Sequence, residues 1–183
     1  VLDLETLKAD DTAEGFPSAP EWRIVTASVG NWNGSAFRLC ARWGAEEKLT
    51  RKVANECSRS KQLVTFAGRR FDIPVLVAAT MRFRIPFPWA WSRDVSYRYS
   101  TDAHCDLLDV LSNFGATPNA GLGKWLTAFG LGGKTGNGGD VAEWAAAGQV
   151  ERIAEYNAED VRGTARLFAR YLLSVGRVTL DEE

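Results

Sequence analysis

The stretch Val1-Leu2-Asp3-Leu4-Glu5-Thr6 opens the chain and is the starting point for predicting its fold. We predict a strand over residues 1–5. Residues two apart on a strand point to the same face, so Asp3 and Glu5 should lie side by side. Neighbouring carboxylates are hard to bury unless a cation sits among them. The first strand therefore indicates a site that binds positive charge.

Two later segments contribute acidic residues of the same kind. Asp72 closes the stretch GRRFD, residues 68–72, where a loop enters a predicted helix. Tyr156 and Asp160 are four residues apart in another predicted helix, so they share one of its faces. Mg²⁺ and Mn²⁺ prefer carboxylate oxygen, and two such ions held close together are efficient at cleaving phosphodiester bonds. The candidate metal ligands are Asp3, Glu5, Asp72 and Asp160.

The order of predicted elements indicates an α/β layered domain. Strands are predicted over residues 1–5, 22–29, 36–43 and 63–66, the first three forming an antiparallel arrangement. Helices are predicted over residues 46–60, 72–83, 106–114, 122–129, 141–147 and 149–173. Loops are predicted over residues 10–20, 86–101 and 130–139. At 183 residues, the chain is expected to form a single domain over residues 1–183.

Together the motifs resemble those of a known group of nucleases. Asp-x-Glu, Phe-Asp after a Gly-Arg loop, and Tyr-x-x-x-Asp, in this order, are similar to the three exonuclease motifs of the DEDD superfamily, and the tyrosine points to its DEDDy branch. More closely, the chain resembles the stand-alone predicted 3′–5′ exonucleases related to the proofreading domain of family-B DNA polymerases. The supporting segments are TFAGRRFDIP (65–74), DLLDVLS (106–112) and residues 133–160. The resemblance implies a ribonuclease-H-like exonuclease fold with a mixed central sheet flanked by helices.

The resemblance also implies a role for each site residue. Asp3, Glu5 and Asp160 would hold the ion that activates water. Asp3 would bridge to a second ion, held by Asp72 directly or through water, and Tyr156 would orient the attacking water. The cofactors would be two divalent cations, Mg²⁺ or Mn²⁺. The substrate would be the 3′ end of single-stranded nucleic acid, with DNA favoured, and the products nucleoside 5′-monophosphates.

Several residues are candidates for gripping the substrate. Those nearest the motifs are Thr6, Leu7, Arg70 and Phe71. Leu7 and Phe71 would either wedge the terminal base or simply pack in the core, and both readings stay open. Farther along, aromatic side chains lie among arginines, which would either clamp bases or fold over the core. These are Trp89, Trp91, Tyr97 and Tyr99, with Arg93 and Arg98. Arginine is concentrated in this part of the chain, which allows a local basic surface despite a net charge of −1. Its arginines are Arg69, Arg70, Arg82, Arg84, Arg93 and Arg98.

Two features depart from the family pattern. The family usually carries asparagine at the place of Ala67, and losing that amide would change how the loop is held or how the terminal nucleotide is gripped. Only two residues precede Asp3, whereas a first strand normally has more apolar residues before its catalytic aspartate. The chain is therefore expected to be a fragment with a truncated start.

Sequence motifs and composition also bear on other possible binding sites and on the cellular location. The stretch GGKT, residues 132–135, lacks the earlier glycine of a phosphate-binding loop, because Ala128 stands there. His104, Cys105 and Asp106 are adjacent and cannot all turn to one ion, so a structural role is favoured. Three widely spaced cysteines, at 40, 57 and 105, are typical of buried free thiols in the cytoplasm. No apolar stretch approaches the ~20 residues of a membrane span, so no membrane association is expected.

Two other functions remain as alternatives. One is a non-catalytic module that binds nucleic acid with the same fold, a hypothesis that Ala67 keeps open. The other is a ribonuclease-H-like endonuclease. The DEDDh branch is disfavoured because the only histidine, His104, lies far before Asp160, and Glu155 occupies the position where that branch carries its histidine.

Overall fold

An antiparallel sheet of three strands forms the amino-terminal part of the computed structural model, which describes residues 1–10, 16–133 and 138–179. Its strands, in spatial order, are β1 (Leu2–Lys8), β2 (Trp22–Trp32) and β3 (Phe37–Trp43). The antiparallel arrangement predicted from sequence is confirmed, although β1 and β2 each extend three residues farther than predicted. The register of β1 against β2 shifts between Glu5 and Thr6. Such an irregularity bends a strand and re-aims the side chains beyond it.

Two further strands, which are parallel to each other, lie beside the first sheet. β4 (Leu63–Thr65) pairs with β5 (His104–Asp106), and β4 also contacts β1. The helix predicted over residues 106–114 is therefore wrong at its start. Residue 106 instead ends the strand β5, and a short helix follows it. The carboxylate of Asp106 caps the first turn of this helix by accepting a hydrogen bond from the Leu108 amide at 3.0 Å. Three residues are too few to show alternation, and this strand exists only because distant β4 supplies its backbone partners.

Helices cover both faces of the antiparallel sheet. They are α1 (Glu46–Arg59), α2 (Asp72–Arg82), α3 (Arg93–Ser96), α4 (Leu107–Leu111), α5 (Leu122–Ala128), α6 (Asp140–Ala146) and α7 (Val150–Ser174). Leu2 and Leu4 point into a core shared with α1 and α2. Because side chains alternate along a strand, Asp3 and Glu5 point to the opposite face, where α7 packs. The predicted α/β class with helices flanking a sheet is confirmed.

The loop predicted over residues 86–101 contains short helical turns and divides its aromatic residues into two groups. Trp89 packs against the core and stacks on Phe87, with ring centroids 5.5 Å apart. Trp91, Tyr97 and Tyr99 remain exposed. The core reading is thus correct for Trp89, while a base clamp remains a prediction for the other three.

Two expectations about surface and core need correction. Cys57 and Cys105 are buried, but Cys40 is exposed, because β3 pairs with β2 alone and lies at the sheet edge. The basic surface is also smaller than expected, since three of its six arginines lie beside carboxylates. The ion pairs are Arg69–Asp109, Arg98–Asp109 and Arg82–Glu46.

Within the described ranges, no helix is both long and apolar enough to cross a membrane.

Candidate active site

Three of the four predicted carboxylates converge on the face of the sheet that α7 covers. Each of Asp3, Glu5 and Asp160 offers a carboxylate oxygen, and these oxygens all lie within 4.8 Å of one another. β1 supplies two of them from one face of a strand, and α7 brings the third from a segment more than 150 residues away. Like charges this close repel each other strongly in a partly buried setting. The arrangement is one that a divalent cation would stabilise.

Asn157 is a site residue that the sequence reasoning missed. Its side chain is fully buried, and its amide nitrogen donates to Oδ2 of Asp3 at 2.5 Å. The signal was present in the sequence, because Asn157 and Asp160 are three apart on one helix and therefore share a face. Asn157 holds one oxygen of Asp3 in place, which orients the other.

Polar groups without described partners surround the same carboxylates. Ser28 pairs with Asp3 across the sheet, and Thr26 pairs with Glu5, so both hydroxyls point to the carboxylate side. Neither hydroxyl oxygen has a hydrogen-bond partner among the described residues, and the same is true of the carbonyl oxygen of the Asn157 side chain. Buried polar atoms normally have partners, so these three atoms would suit a site that binds ordered water or a hydrated ion.

Asp72 lies next to this cluster rather than within it. It begins α2 as predicted, is almost fully buried, and its Oδ1 accepts a hydrogen bond from the Leu4 amide at 2.8 Å. Desolvation by burial is the main cause that raises the pKa of Asp72 to about 7, and the charges of Asp106 and Asp160 add to it. The three-carboxylate group does not include Asp72. Its hydrogen bond to β1 nevertheless ties it to the strand that carries Asp3 and Glu5.

The loop before Asp72 is fastened by a buried carboxylate from another part of the chain. Asp106 accepts hydrogen bonds from the amides of Ala67 at 2.9 Å and Arg69 at 2.7 Å. The guanidinium of Arg69 in turn donates to the carbonyl oxygens of Val95 and His104. The segment DLLDVLS therefore contributes the residue that positions the second motif, and the expectation that Asp106 has a structural role agrees with these contacts.

Ala67 adopts a backbone conformation that suits asparagine or glycine better. Its φ is +66°, in the left-handed region that costs most other residues roughly 1–2 kcal/mol. Asparagine and glycine tolerate this region better than alanine does. We expect Ala67→Gly to raise the free energy of unfolding by about 1 kcal/mol, measured by urea denaturation. Ala78→Gly, inside α2, is the matched control and should lower it by about the same amount. An Ala67→Gly variant that is destabilised would contradict the strain at this position.

Tyr156 lies one helical turn before Asp160, as its spacing predicted. It is 5% exposed, and its ring packs edge-on against Trp144 with centroids 5.6 Å apart. It also forms part of the wall of an open groove of about 640 Å³ between β3 and α7. The ring is therefore packed against Trp144 and buried at the edge of this groove.

The predicted substrate contacts lie along the end of β1 and the start of α2. Leu7 packs against the hydrophobic cluster that contains Trp144 and Tyr156, which agrees with the interpretation of Leu7 as a packing residue. Phe71 is half-buried against the main core, and Arg70 beside it is exposed. Thr6 is half-buried just beyond the register shift in β1. All four residues thus flank the carboxylates along the chain, and their contact with substrate stays a prediction.

The alternative sites do not gain support from the structure. His104 is buried, its ring Nε2 lies 2.9 Å from the Thr65 hydroxyl, and desolvation by burial lowers its pKa to about 3, so it is a neutral core histidine. Lys134 and Thr135 of the GGKT stretch lie outside the described residues. Among the described residues, the only group of three or more potential metal ligands is the one formed by Asp3, Glu5 and Asp160.

Comparison with known families identifies the chain. No curated protein matches it. Residues 17–183 match the family described as predicted 3′–5′ exonucleases related to the exonuclease domain of PolB. That span includes Asp72, Tyr156 and Asp160, whereas Asp3 and Glu5 lie before it and are associated with the site by geometry. The match covers well over half of the chain and confirms the resemblance inferred from the motifs. The chain therefore belongs to the family of predicted 3′–5′ exonucleases related to the exonuclease domain of PolB.

Proposed function

We propose that this chain is a 3′–5′ exonuclease of the DEDDy type on a ribonuclease-H-like fold, which cleaves single-stranded nucleic acid, with DNA favoured, by a two-metal mechanism. The observation that carries the proposal is the convergence of Asp3, Glu5 and Asp160 oxygens within 4.8 Å. Family membership supports nuclease activity that depends on divalent metal and acts on nucleic acid. The ribonuclease-H-like assignment is supported by the antiparallel β1–β3 sheet lying beside the parallel β4–β5 pair.

The residues present fit a pair of Mg²⁺ or Mn²⁺ ions. Asp3, Glu5 and Asp160 would hold one ion, and Asp3 with Asp72 would hold the other. Hard cations of this kind prefer carboxylate oxygen, and the orphaned oxygens of Ser28, Thr26 and Asn157 suit a hydrated site. When bound, the two ions lower the pKa of water and stabilise charge on the attacking and leaving oxygens.

The protein's own groups would orient the reactants. The Tyr156 hydroxyl would form a hydrogen bond with the attacking water. The packing of its ring against Trp144 would keep the hydroxyl in position. Asn157 would fix Oδ2 of Asp3 and so orient this carboxylate toward the ions. The hydrogen bond from the Leu4 amide would keep Asp72 aimed at the same strand. Rigid positioning of this kind lowers the entropic part of the barrier.

The neighbourhood of Asp72 supports a single-stranded 3′ end as the substrate. Arg70 is exposed and takes part in no ion pair within the described part of the chain, so its guanidinium is available to a phosphate. Phe71, next to it, offers an aromatic ring to an unpaired base near the 3′ end. Aromatic rings stack on unpaired bases of any sequence, whereas bases within a duplex are already stacked.

Cleavage of end-labelled oligonucleotides tests the proposal. A 5′-labelled single strand should shorten stepwise from its 3′ end in Mg²⁺ or Mn²⁺, and EDTA should stop the reaction. A 3′-terminal phosphate should slow it by crowding the site. Internal cuts would indicate the endonuclease, and binding without cleavage would indicate the non-catalytic module. Release of the 5′ label as the first product, or undiminished cleavage in EDTA, would contradict the proposal.

A further inference from the structure

Three aromatic rings form a contiguous cluster beside the start of α2. The rings of Phe16, Trp22 and Phe71 have centroids 5.4 Å (Phe16–Trp22), 6.0 Å (Phe16–Phe71) and 5.3 Å (Trp22–Phe71) apart. Trp22 and Phe71 are half-buried against the main core, whereas Phe16 is 80% exposed. The cluster therefore has two rings packed against the core and one ring exposed to solvent. We name these three residues the aromatic platform.

The exposed ring is held in position by its neighbours. Pro17, which follows Phe16, is buried, and its carbonyl oxygen accepts a hydrogen bond from the Trp22 indole at 3.2 Å. Contacts with Trp22 and Phe71 support the Phe16 ring itself. Contacts on one side of the ring restrict its rotation, which reduces the conformational entropy lost when a ligand stacks on it.

The platform leads away from the carboxylate cluster. Phe71 immediately precedes Asp72, and Trp22 pairs with Lys8 at the far end of β1, five residues beyond Asp3. Phe71 is thus next to Asp72 along the chain, and its ring contacts lead on to Trp22 and Phe16 at the β1 end. A single strand whose 3′ end lies at the carboxylates would pass over Phe71 and then Phe16.

The charges near Phe16 indicate that stacking, rather than ion pairing, would carry binding there. Lys8 and Asp10 both lie close enough to influence the pKa of Glu21, so cation and carboxylates are mixed at this end. At the other end, the exposed Arg70 adjoins Phe71 and offers a cation to phosphate. A contribution from base stacking depends little on salt, whereas a phosphate contact depends on it strongly.

We propose that the aromatic platform is a binding subsite for unpaired nucleobases upstream of the 3′-terminal nucleotide. The choice of ligand rests on the proposed function. In this subsite Phe71 takes the base nearest the cleaved bond, and Phe16 takes a base farther from it. The enzyme would consequently favour single strands several nucleotides long over dinucleotides.

Binding of short oligothymidylates to the full chain tests this subsite. Fluorescence anisotropy of 5′-labelled strands is measured in EDTA, so that cleavage does not interfere. The wild type should bind the hexanucleotide more tightly than the dinucleotide. Phe16→Ala should weaken hexanucleotide binding by about 5- to 150-fold, the range for losing one base–aromatic stack, and Phe16→Trp should restore it. Trp32→Ala is the matched control, because Trp32 is also an exposed aromatic but lies at the opposite end of β2.

The salt dependence of binding separates the two parts of the site. The loss caused by Phe16→Ala should be the same at low and high salt. Arg70→Gln should instead lower the slope of log affinity against log salt by about 1, as expected when one phosphate contact is lost. Equal losses for dinucleotide and hexanucleotide in Phe16→Ala, or no loss in either, would overturn the subsite. So would a wild type that does not bind the hexanucleotide.

Hydrolysis of a nucleoside 5′-(p-nitrophenyl phosphate) by the wild type distinguishes this inference from the proposed function. Such an ester carries no upstream base, so its hydrolysis in Mg²⁺ or Mn²⁺ tests the catalytic site alone. Hydrolysis together with oligonucleotide binding that is indifferent to Phe16 refutes only the subsite. Binding that depends on Phe16, without hydrolysis of any substrate, supports the subsite and refutes the exonuclease.

Discussion

Replacing Asp160 by asparagine is expected to abolish detectable cleavage and to remove most of the stabilisation that Mn²⁺ gives the protein. Asp160 is buried, and its carboxylate oxygen lies within 4.8 Å of those of Asp3 and Glu5. Asparagine has nearly the same shape as aspartate but no charge. The substitution should therefore weaken the binding of an ion by the carboxylates while keeping the packing of α7. A ligand that binds only the folded state raises stability by about 2.7 kcal/mol at one hundred times its dissociation constant. The melting temperature with and without Mn²⁺ therefore reports ion binding independently of activity.

Glu159→Gln is the matched control for this variant. Glu159 is adjacent on the same helix, carries the same charge, and is half-exposed in an ion pair with Arg162. Exposed ion pairs contribute little, so this variant should cleave and bind Mn²⁺ like the wild type. Circular dichroism should show both variants folded. An Asp160→Asn protein that cleaves at the normal rate, or that gains as much stability from Mn²⁺, would remove Asp160 from the metal site.

Changing Tyr156 to phenylalanine is expected to slow cleavage by about 10²- to 10⁴-fold and to leave metal affinity almost unchanged. Positioned groups that donate hydrogen bonds or transfer protons contribute rates of this order. The tyrosine hydroxyl is uncharged at neutral pH, so its loss should not affect the binding of cations. The ring remains, and with it the packing against Trp144. Single-turnover rates and calorimetric titration with Mn²⁺ measure the two effects separately.

Tyr171→Phe serves as the control for the loss of a hydroxyl from α7. Tyr171 lies farther along the same helix, where its ring stacks near Phe168, away from the three carboxylates. It should cleave at the wild-type rate. If Tyr156→Phe also cleaves at that rate, the tyrosine is only a packing residue and another group orients the water. If it instead loses metal affinity, Tyr156 supports the ligands rather than the water.

The parts of this protein that sequence predicted well are those in which local periodicity decides the structure. Alternation along β1 places Asp3 and Glu5 on one face, and the i, i+4 spacing places Tyr156 and Asp160 on one side of α7. The start of α2 at Asp72 followed from the loop that precedes it and from Pro74 in its first turn. In each case the relevant residues are within five positions of one another, so the backbone geometry of one element relates them.

Tertiary structure decided everything that depends on contacts between distant segments. β5 forms because β4 supplies backbone partners from about forty residues away, and Asp106 then caps α4 and fastens the loop before Asp72. Three of the six clustered arginines face carboxylates, a pairing that no local pattern reveals. The same is true of Asn157 with Asp3 and of Phe16 with Phe71. The sequence by itself determined which residue types each element offers to the site. Which of them meet was decided by packing, because hydrogen bonds and ring contacts act over a few ångströms in space, whatever the separation along the chain.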